Sequence, residues 1–223
     1  LYEASDPDFL DFIKDNDGTG TINVTAATGI VNGAQQFNGT DTQINVPADR
    51  SFNWQKDDSF SIEFWINSSS LGSPAGNNAV AVGRSDAVTG AFWFAGVNTN
   101  GYAIFQLTDS SGGATVQGVA ADATDINIAD GAWHHVVAVY DAGAGSNQQR
   151  IYVDGQLNAQ RTTGGPNVGA ANFAVGKTVG TEYFNGLLDN VAIFDRALTD
   201  AEIDAITAAK DLDLPPGMYI RLT

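Results

Sequence analysis

The chain has 223 residues, with 26 acidic against 10 basic side chains and a formal net charge of −16. A surface of that sign repels nucleic acid and anionic membranes. The absence of cysteine excludes disulfides, thiolate catalysis and cysteine-ligated zinc. No apolar run approaches the roughly 20 residues of a membrane helix, so no membrane insertion is expected. The acid is almost all aspartate, glutamate occurring only at Glu3, Glu63, Glu182 and Glu202. Short carboxylates suit turns and oxygen-ligand cation sites. Leu1 opens the chain with no signal-like segment, so the sequence is expected to be a monomeric piece of a longer multidomain protein. A disulfide-free acidic chain of this kind points to a secreted or cell-surface bacterial protein, and so to the extracellular space.

Taken in order, Phe9–Ile13 reads as a helical turn or an edge strand. Asp15-Asn16-Asp17-Gly18 resembles the opening of a calcium loop but lacks the distal bidentate glutamate of an EF-hand. Asp15 and Asp17 are therefore read as ligands to a site completed elsewhere. Strands are expected near Ile22–Thr25, Ala34–Asn38, Gln43–Val46 and Phe60–Asn67. In the last, Phe60, Ile62, Phe64 and Ile66 form a core-facing set, which leaves Glu63 and Trp65 together on the opposite face. After a Ser/Gly/Asn loop at 68–78, short strands continue at Val80–Gly83, Ala91–Asn98, Tyr102–Asp109, Ala114–Val119 and Asp125–Ile128. Asn100-Gly101 is a hairpin turn signal.

Trp133–Tyr140 is dense in residues that suit a pleated surface. Trp133, His135, Val137 and Val139 share one face; His134, Val136, Ala138 and Tyr140 share the other. Both faces are largely apolar, so this strand is expected to be central and covered on both sides. Arg150–Val153 and Gln156–Arg161 follow, joined by Asp154-Gly155, a two-residue turn that needs positive φ at both positions. Phe173–Gly176 and Leu187–Asp195 are further strands. Thr199-Asp200-Ala201-Glu202 is a capping box that opens one short amphipathic helix, with Ile203 and Ile206 on its apolar side, running to about Lys210. Leu214-Pro215-Pro216-Gly217 ends regular structure, and residues 212–223 are a terminal strand or a linker. The whole is expected to be one all-β domain, a two-sheet antiparallel jelly-roll sandwich with one short helix near the C-terminal region.

Three stretches carry a family resemblance. The Trp133–Val136 strand followed by Ile151-Tyr152-Val153-Asp154-Gly155-Gln156 is one. The pair Phe37-Asn38-Gly39-Thr40-Asp41 and Ser59–Ile66 is the second. The run Phe184–Ile203, with its Arg196-Ala197-Leu198-Thr199 helix start, is the third. Together they resemble the laminin G-like domains of the concanavalin A-like lectin/glucanase jelly rolls. The resemblance implies a structural calcium ion, with Asp189 as the best candidate ligand, Asp41 next, and Asp15 and Asp17 as local partners. It does not extend to the second calcium of pentraxin relatives. The matching stretch, Gly176–Phe184, holds one acid and a lysine where several acids are needed.

Catalysis is not expected. His134 and His135 are adjacent in a strand and point to opposite faces, so they cannot act on one group together. Glycoside hydrolysis needs two carboxylates across a cleft, and the glucanase pattern sets them along one strand. Here Glu63 has Trp65, not an acid, two residues on. Sugar recognition joins a flat ring to amides and carboxylates. The ligand-binding candidates are Trp93 and Trp65 as a platform with Glu63, and Asp86, Asn98 and Tyr183 near loops; Trp54, Tyr102, Asn100 and Arg84 are further neighbours. The expectation is a non-catalytic glycan- or polysaccharide-binding or adhesion module. The alternative is a protein-protein adhesion or spacer domain without a sugar site, contacting a cell-surface protein; the third reading is a degenerate polysaccharide-active enzyme.

Overall fold

The computed structural model describes residues 18–22, 24–30, 33–71, 76–88, 90–108, 115–117, 126–169, 171–177 and 182–209. The expected element at Phe9–Ile13, the candidate ligands Asp15 and Asp17, and the segment 212–223 lie outside them.

The strands are β1 (Thr19–Ile22), β2 (Thr25–Thr28), β3 (Gly33–Asn38), β4 (Gln43–Val46), β5 (Phe60–Asn67), β6 (Ala79–Ser85), β7 (Phe92–Val97), β8 (Ala103–Thr108), β9 (Thr115–Gln117), β10 (Trp133–Tyr140), β11 (Gln149–Val153), β12 (Gln156–Arg161), β13 (Phe173–Val175) and β14 (Asn185–Phe194). A single 3-10 turn at Arg50–Phe52 and one helix, α1 (Asp200–Ala209), complete the described elements. The first sheet has the order β1-β4-β13-β6-β7-β8-β9 and the second β12-β11-β10-β5-β14-β3-β2. This is the two-sheet sandwich that the alternating strands predict.

The expected strand at Ile22–Thr25 is in fact two. β1 pairs with β4 in the first sheet and β2 with β3 in the second. The strands on either side of Val24 thus belong to different sheets, and Val24 packs against the core. At 125–128 the described residues make only an isolated bridge between Tyr102 and Asn127.

The core lies between the sheets. β5 contributes Phe60, Ile62, Phe64 and Ile66; β10 contributes Val136, Ala138 and Tyr140. The first sheet answers with Ile44, Val46, Val82, Trp93, Ala95, Phe105, Phe173 and Val175. Trp54 stacks on Phe60 with centroids 4.0 Å apart, and Trp93 leans on both rings. β10 pairs with β11 on one side and β5 on the other. Its other face, with Val137 and Val139, packs under Ile203 and Ile206 of α1. It is the covered, central strand that its composition indicates.

Two local signals are realised in detail. Asp154 and Gly155 take φ values of 52° and 81°, the positive region this turn demands. In the capping box, Glu202 N–H donates to Thr199 Oγ1 (3.3 Å) and Thr199 N–H to Glu202 Oε2 (2.9 Å). One feature is not periodic. The β14–β5 register shifts between Asp189 and Ala192, at Asn190 with φ 47°. That bulge exchanges the faces of the strand. Leu188 points to the core before it, Val191 and Ile193 after it, while Ala192 and Phe194 turn to the helix.

Candidate functional site

The two outer faces differ, because α1 lies on only one of them. On the second sheet, the register aligns His135, Trp65 and Asp189 in one row and Val137, Glu63 and Ala192 in the next. His135 Nε2 meets Glu63 Oε1 at 2.9 Å, and both side chains are buried. His135 Nδ1 lies 2.7 Å from Thr207 Oγ1 on α1. Thr207 Oγ1 donates its own proton to Ile203 O (2.8 Å), so it accepts from His135 Nδ1–H. This fixes the imidazole orientation and ties the helix to the sheet. Trp65 is 5 % exposed and rests on the His135 ring, 4.9 Å between centroids.

The sequence expectation of a Trp65–Trp93 platform is therefore corrected. Trp93 is 0 % exposed in the inter-sheet core, while Trp65 and Glu63 are buried on the far side of the other sheet. Period-2 alternation separates two faces of a strand but does not say which one is core. Asp86 and Asn98 are also buried, as turn-formers rather than ligand contacts. Asp86 Oδ1 accepts from Val88 N–H (2.8 Å) and Oδ2 from Gly169 N–H (3.2 Å). Asn98 Oδ1 accepts from Asn100 N–H (2.9 Å) and Tyr102 N–H (3.0 Å), closing the β7–β8 turn. Arg84 points inward, donating to Asn53 Oδ1 and Gly169 O. Burial lowers its pKa to about 10, against the raising influence of Asp49 and Asp86.

The calcium candidates do not converge. Asn185 pairs with Asn38 and Leu188 with Gln35, so Asp189 lies beyond one end of the β3–β14 ladder and Asp41 beyond the other. Asp189 is 0 % exposed, and its Oδ2 accepts from Ile30 N–H at 2.8 Å. Asp41 is exposed and accepts from Asn38 Nδ2 (2.7 Å) in a side-chain-closed turn. Among the described residues no group of three or more His, Asp or Glu side chains is placed to share a metal ion. Asp41 and Asp189 thus do not fit a common cation.

The outer face of the first sheet is built differently. Register places Asn45, Ala174, Gly83, Phe94 and Gln106 in one row across five strands. The small side chains Gly83, Ala174 and Ser85 leave a trough there of about 220 Å³. Its polar walls are the amides of Gln43, Asn45 and Asn172, and Lys177 closes one side. Lys177 Nζ donates to Tyr183 OH (2.8 Å) and sits 4.6 Å from that ring's centroid. Phe92 and Phe94, stacked at 6.0 Å, continue the same face. Of the six expected ligand residues, Tyr183 is the one the fold brings beside this trough. The amides were missed because Gln and Asn in short strands read as ordinary solvent-facing positions. The signal was the Gln43-Ile44-Asn45-Val46 alternation, set against small residues on a strand two places away.

One further cluster is electrostatic. The His134 ring lies between Asp154 Oδ2 (2.8 Å, at Nδ1) and Asp130 Oδ1 (3.1 Å, at Nε2). The Asp154 contact raises the His134 pKa; burial opposes this and is outweighed once Asp130 adds its share. Burial works against ionisation of Asp154, but hydrogen bonds from His134 and from His135 N–H hold its pKa below the ordinary carboxylate value.

A family model described as the concanavalin A-like lectin/glucanases superfamily matches residues 38–204. The chain belongs to the concanavalin A-like lectin/glucanase superfamily. Solved structures agree on this fold. The binding domain of Paraclostridial Mosquitocidal Protein 1 superposes with a TM-score of 0.65 at 16 % identity, over 88 % of this chain and 48 % of that one. The chain thus spans about half of that binding domain. Domain 4 of AbnA, a GH43 extracellular arabinanase from Geobacillus stearothermophilus, in complex with arabinotriose, gives 0.63 at 18 %, covering 83 % and 82 %. The heptameric SAP-like pentraxin of Limulus polyphemus gives 0.60 at 17 %, covering 87 % and 90 %. No curated protein sequence matches. Within a superfamily named for both lectins and glucanases, this member's trough is lined by amides, small residues and one lysine, with no carboxylate among its lining residues. Among the described residues, no helix is long and apolar enough to cross a membrane.

Proposed function

We propose that the protein is a non-catalytic carbohydrate-binding module of a secreted or cell-surface protein, and that it takes glycan in the trough on the outer face of the first sheet. The carrying observation is the trough's lining. Amides of Gln43, Asn45 and Asn172 offer paired donors and acceptors that suit sugar hydroxyls. Hydrolysis by the usual route needs two carboxylates about 5–10 Å apart, and the lining supplies none. The neighbouring folds support the reading, one being the binding domain of a mosquitocidal protein and another an arabinotriose-bound domain of an extracellular arabinanase. Calcium belongs to the proposal as a structural support held at Asp189 or at Asp41, not by both together.

The test is a broad glycan array, run in millimolar calcium and again in chelator, with Asn45→Ala and Asn172→Ala beside the wild type. Specific hits that both substitutions weaken support the trough. A blank array from a well-folded sample overturns the reading in favour of a protein partner or a spacer role. Calcium that binds only the folded state adds about 2.7 kcal/mol at a hundredfold excess over Kd, so chelator lowers the melting temperature; an unchanged melt after verified metal removal sinks the ion.

A further inference from the structure

Lys177 is unusual in this chain. With a net charge of −16, basic side chains have carboxylates in abundance, and three of the described ones form ion pairs with them. Lys56 pairs with Asp57 at 3.2 Å, Arg150 with Asp141 at 3.1 Å and Arg196 with Glu202 at 2.8 Å. Lys177 instead rests on Tyr183, through the hydroxyl and the ring face, and no carboxylate among the described residues pairs with it. An ammonium has three N–H donors, and Tyr183 takes one. The tyrosine thus holds a cation at the side of the trough without neutralising it.

Charge range matters here. At physiological salt the Debye length is about 8 Å, so carboxylates elsewhere on the surface are largely screened from a ligand seated in the trough. A group in direct contact with Lys177 is not. The trough's volume of about 220 Å³ lies below the roughly 300–1,000 Å³ of drug-sized ligand sites, which suits one small polar unit rather than a long run of chain. Resting on the glycan-binding reading above, we propose that the trough selects an anionic sugar residue. Its negative group sits on Lys177 Nζ and its hydroxyls meet Asn45, Gln43 and Asn172. The charge is a carboxylate, as in a uronic acid, or a sulfate ester; both present oxygens to an ammonium in the same way.

The experiment compares matched pairs by calorimetry: oligogalacturonate against its methyl ester, and a sulfated galactan oligosaccharide against its desulfated form. The expected result is at least a tenfold preference for one charged member, falling to less than threefold in Lys177→Gln and retained in Lys177→Arg. Which pair shows the preference distinguishes carboxylate from sulfate. Equal binding of charged and neutral members overturns the inference and leaves the glycan reading standing. So does a charge preference that Lys177→Gln leaves intact. No binding by any of the four, together with a blank glycan array, removes the glycan reading itself. Lys177 is partly exposed, two residues beyond the end of β13, so an unchanged melting temperature in Lys177→Gln serves as the fold control.

Discussion

Glu63→Ala removes the carboxylate that meets His135 Nε2 beneath α1. Both partners are buried, with side-chain exposures of 1 % and 0 %, so no water replaces the lost oxygen without rearrangement. Breaking one side of such a buried pair costs about 3–5 kcal/mol, because the surviving polar group is stranded. Glu63→Gln is different. The Thr207 hydroxyl keeps the hydrogen on His135 Nδ1, which leaves Nε2 able to accept from a glutamine amide at the same 2.9 Å position. That variant should lose about 1 kcal/mol, the scale of exchanging one hydrogen bond for another. Urea unfolding reads the difference directly. With an m-value near 2 kcal/mol per molar, Glu63→Ala moves the midpoint down by about 1.5–2.5 M and Glu63→Gln by about 0.5 M. If glutamine proves as damaging as alanine, the tautomer assignment is wrong. If both are silent, the pair does not fasten the helix. Glycan binding by either variant, measured where it is folded, should match wild type, since Glu63 lies on the opposite sheet from the trough.

Other substitutions and conditions test separate parts of the account. Trp93→Ala should lower stability by about 3–5 kcal/mol as a core cavity, and Trp93→Phe by much less; loss of binding with full stability would return this ring to the ligand site. The His134 pKa is raised in the fold, so the contribution of its cluster is complete below the unfolded value of about 6.5 and is lost as pH rises through the folded value. A melting temperature that falls on that alkaline side, and a flatter profile in Asp154→Asn, are expected; a slope of the opposite sign refutes the pairing. Glu202 is held down to about 2, first by the Arg196 hydrogen bond and then by Thr199 N–H. Its contribution is present above about 4.5 and disappears as pH falls toward 2, which melts in acid can follow. Thr199→Ala should cost about 1 kcal/mol as a lost helix cap, with the helical circular-dichroism signal as the check.

The sequence made the strands easier to find than the faces. Asp154-Gly155 and Thr199–Glu202 are local chemistries with one structural solution each, and both are realised where expected. Phe60–Asn67 was legible because its odd and even sets differ in polarity. Phe92-Trp93-Phe94 was not, since aromatic residues on both sides of a strand leave open which side meets the core. That decision rests on partners far away in sequence: Leu107 across from Trp93, Gln106 across from Phe94. The candidate site suffered from the same limit. Asn45, Gly83, Ala174 and Lys177 become neighbours only through a strand order that inserts β13 between β4 and β6. Asp189 is buried against a backbone N–H of Ile30, a partner 159 residues away in sequence.

That bulge gives β14 an arithmetic of its own. Its first half and its second half are two alternating patterns joined out of phase, with Asn190 as the splice. Deleting Asn190 alone would give the step from Asp189 to Ala192 the same two residues as Trp65 to Glu63 opposite, and Val191 and Ile193 would still face the aromatic interior. Deleting two residues there would instead send Ala192 and Phe194 toward that interior and Val191 and Ile193 toward the helix, with every amino acid downstream unchanged. Across relatives of this chain, insertions and deletions in the closing strand should therefore be counted as odd or even before they are counted as large or small.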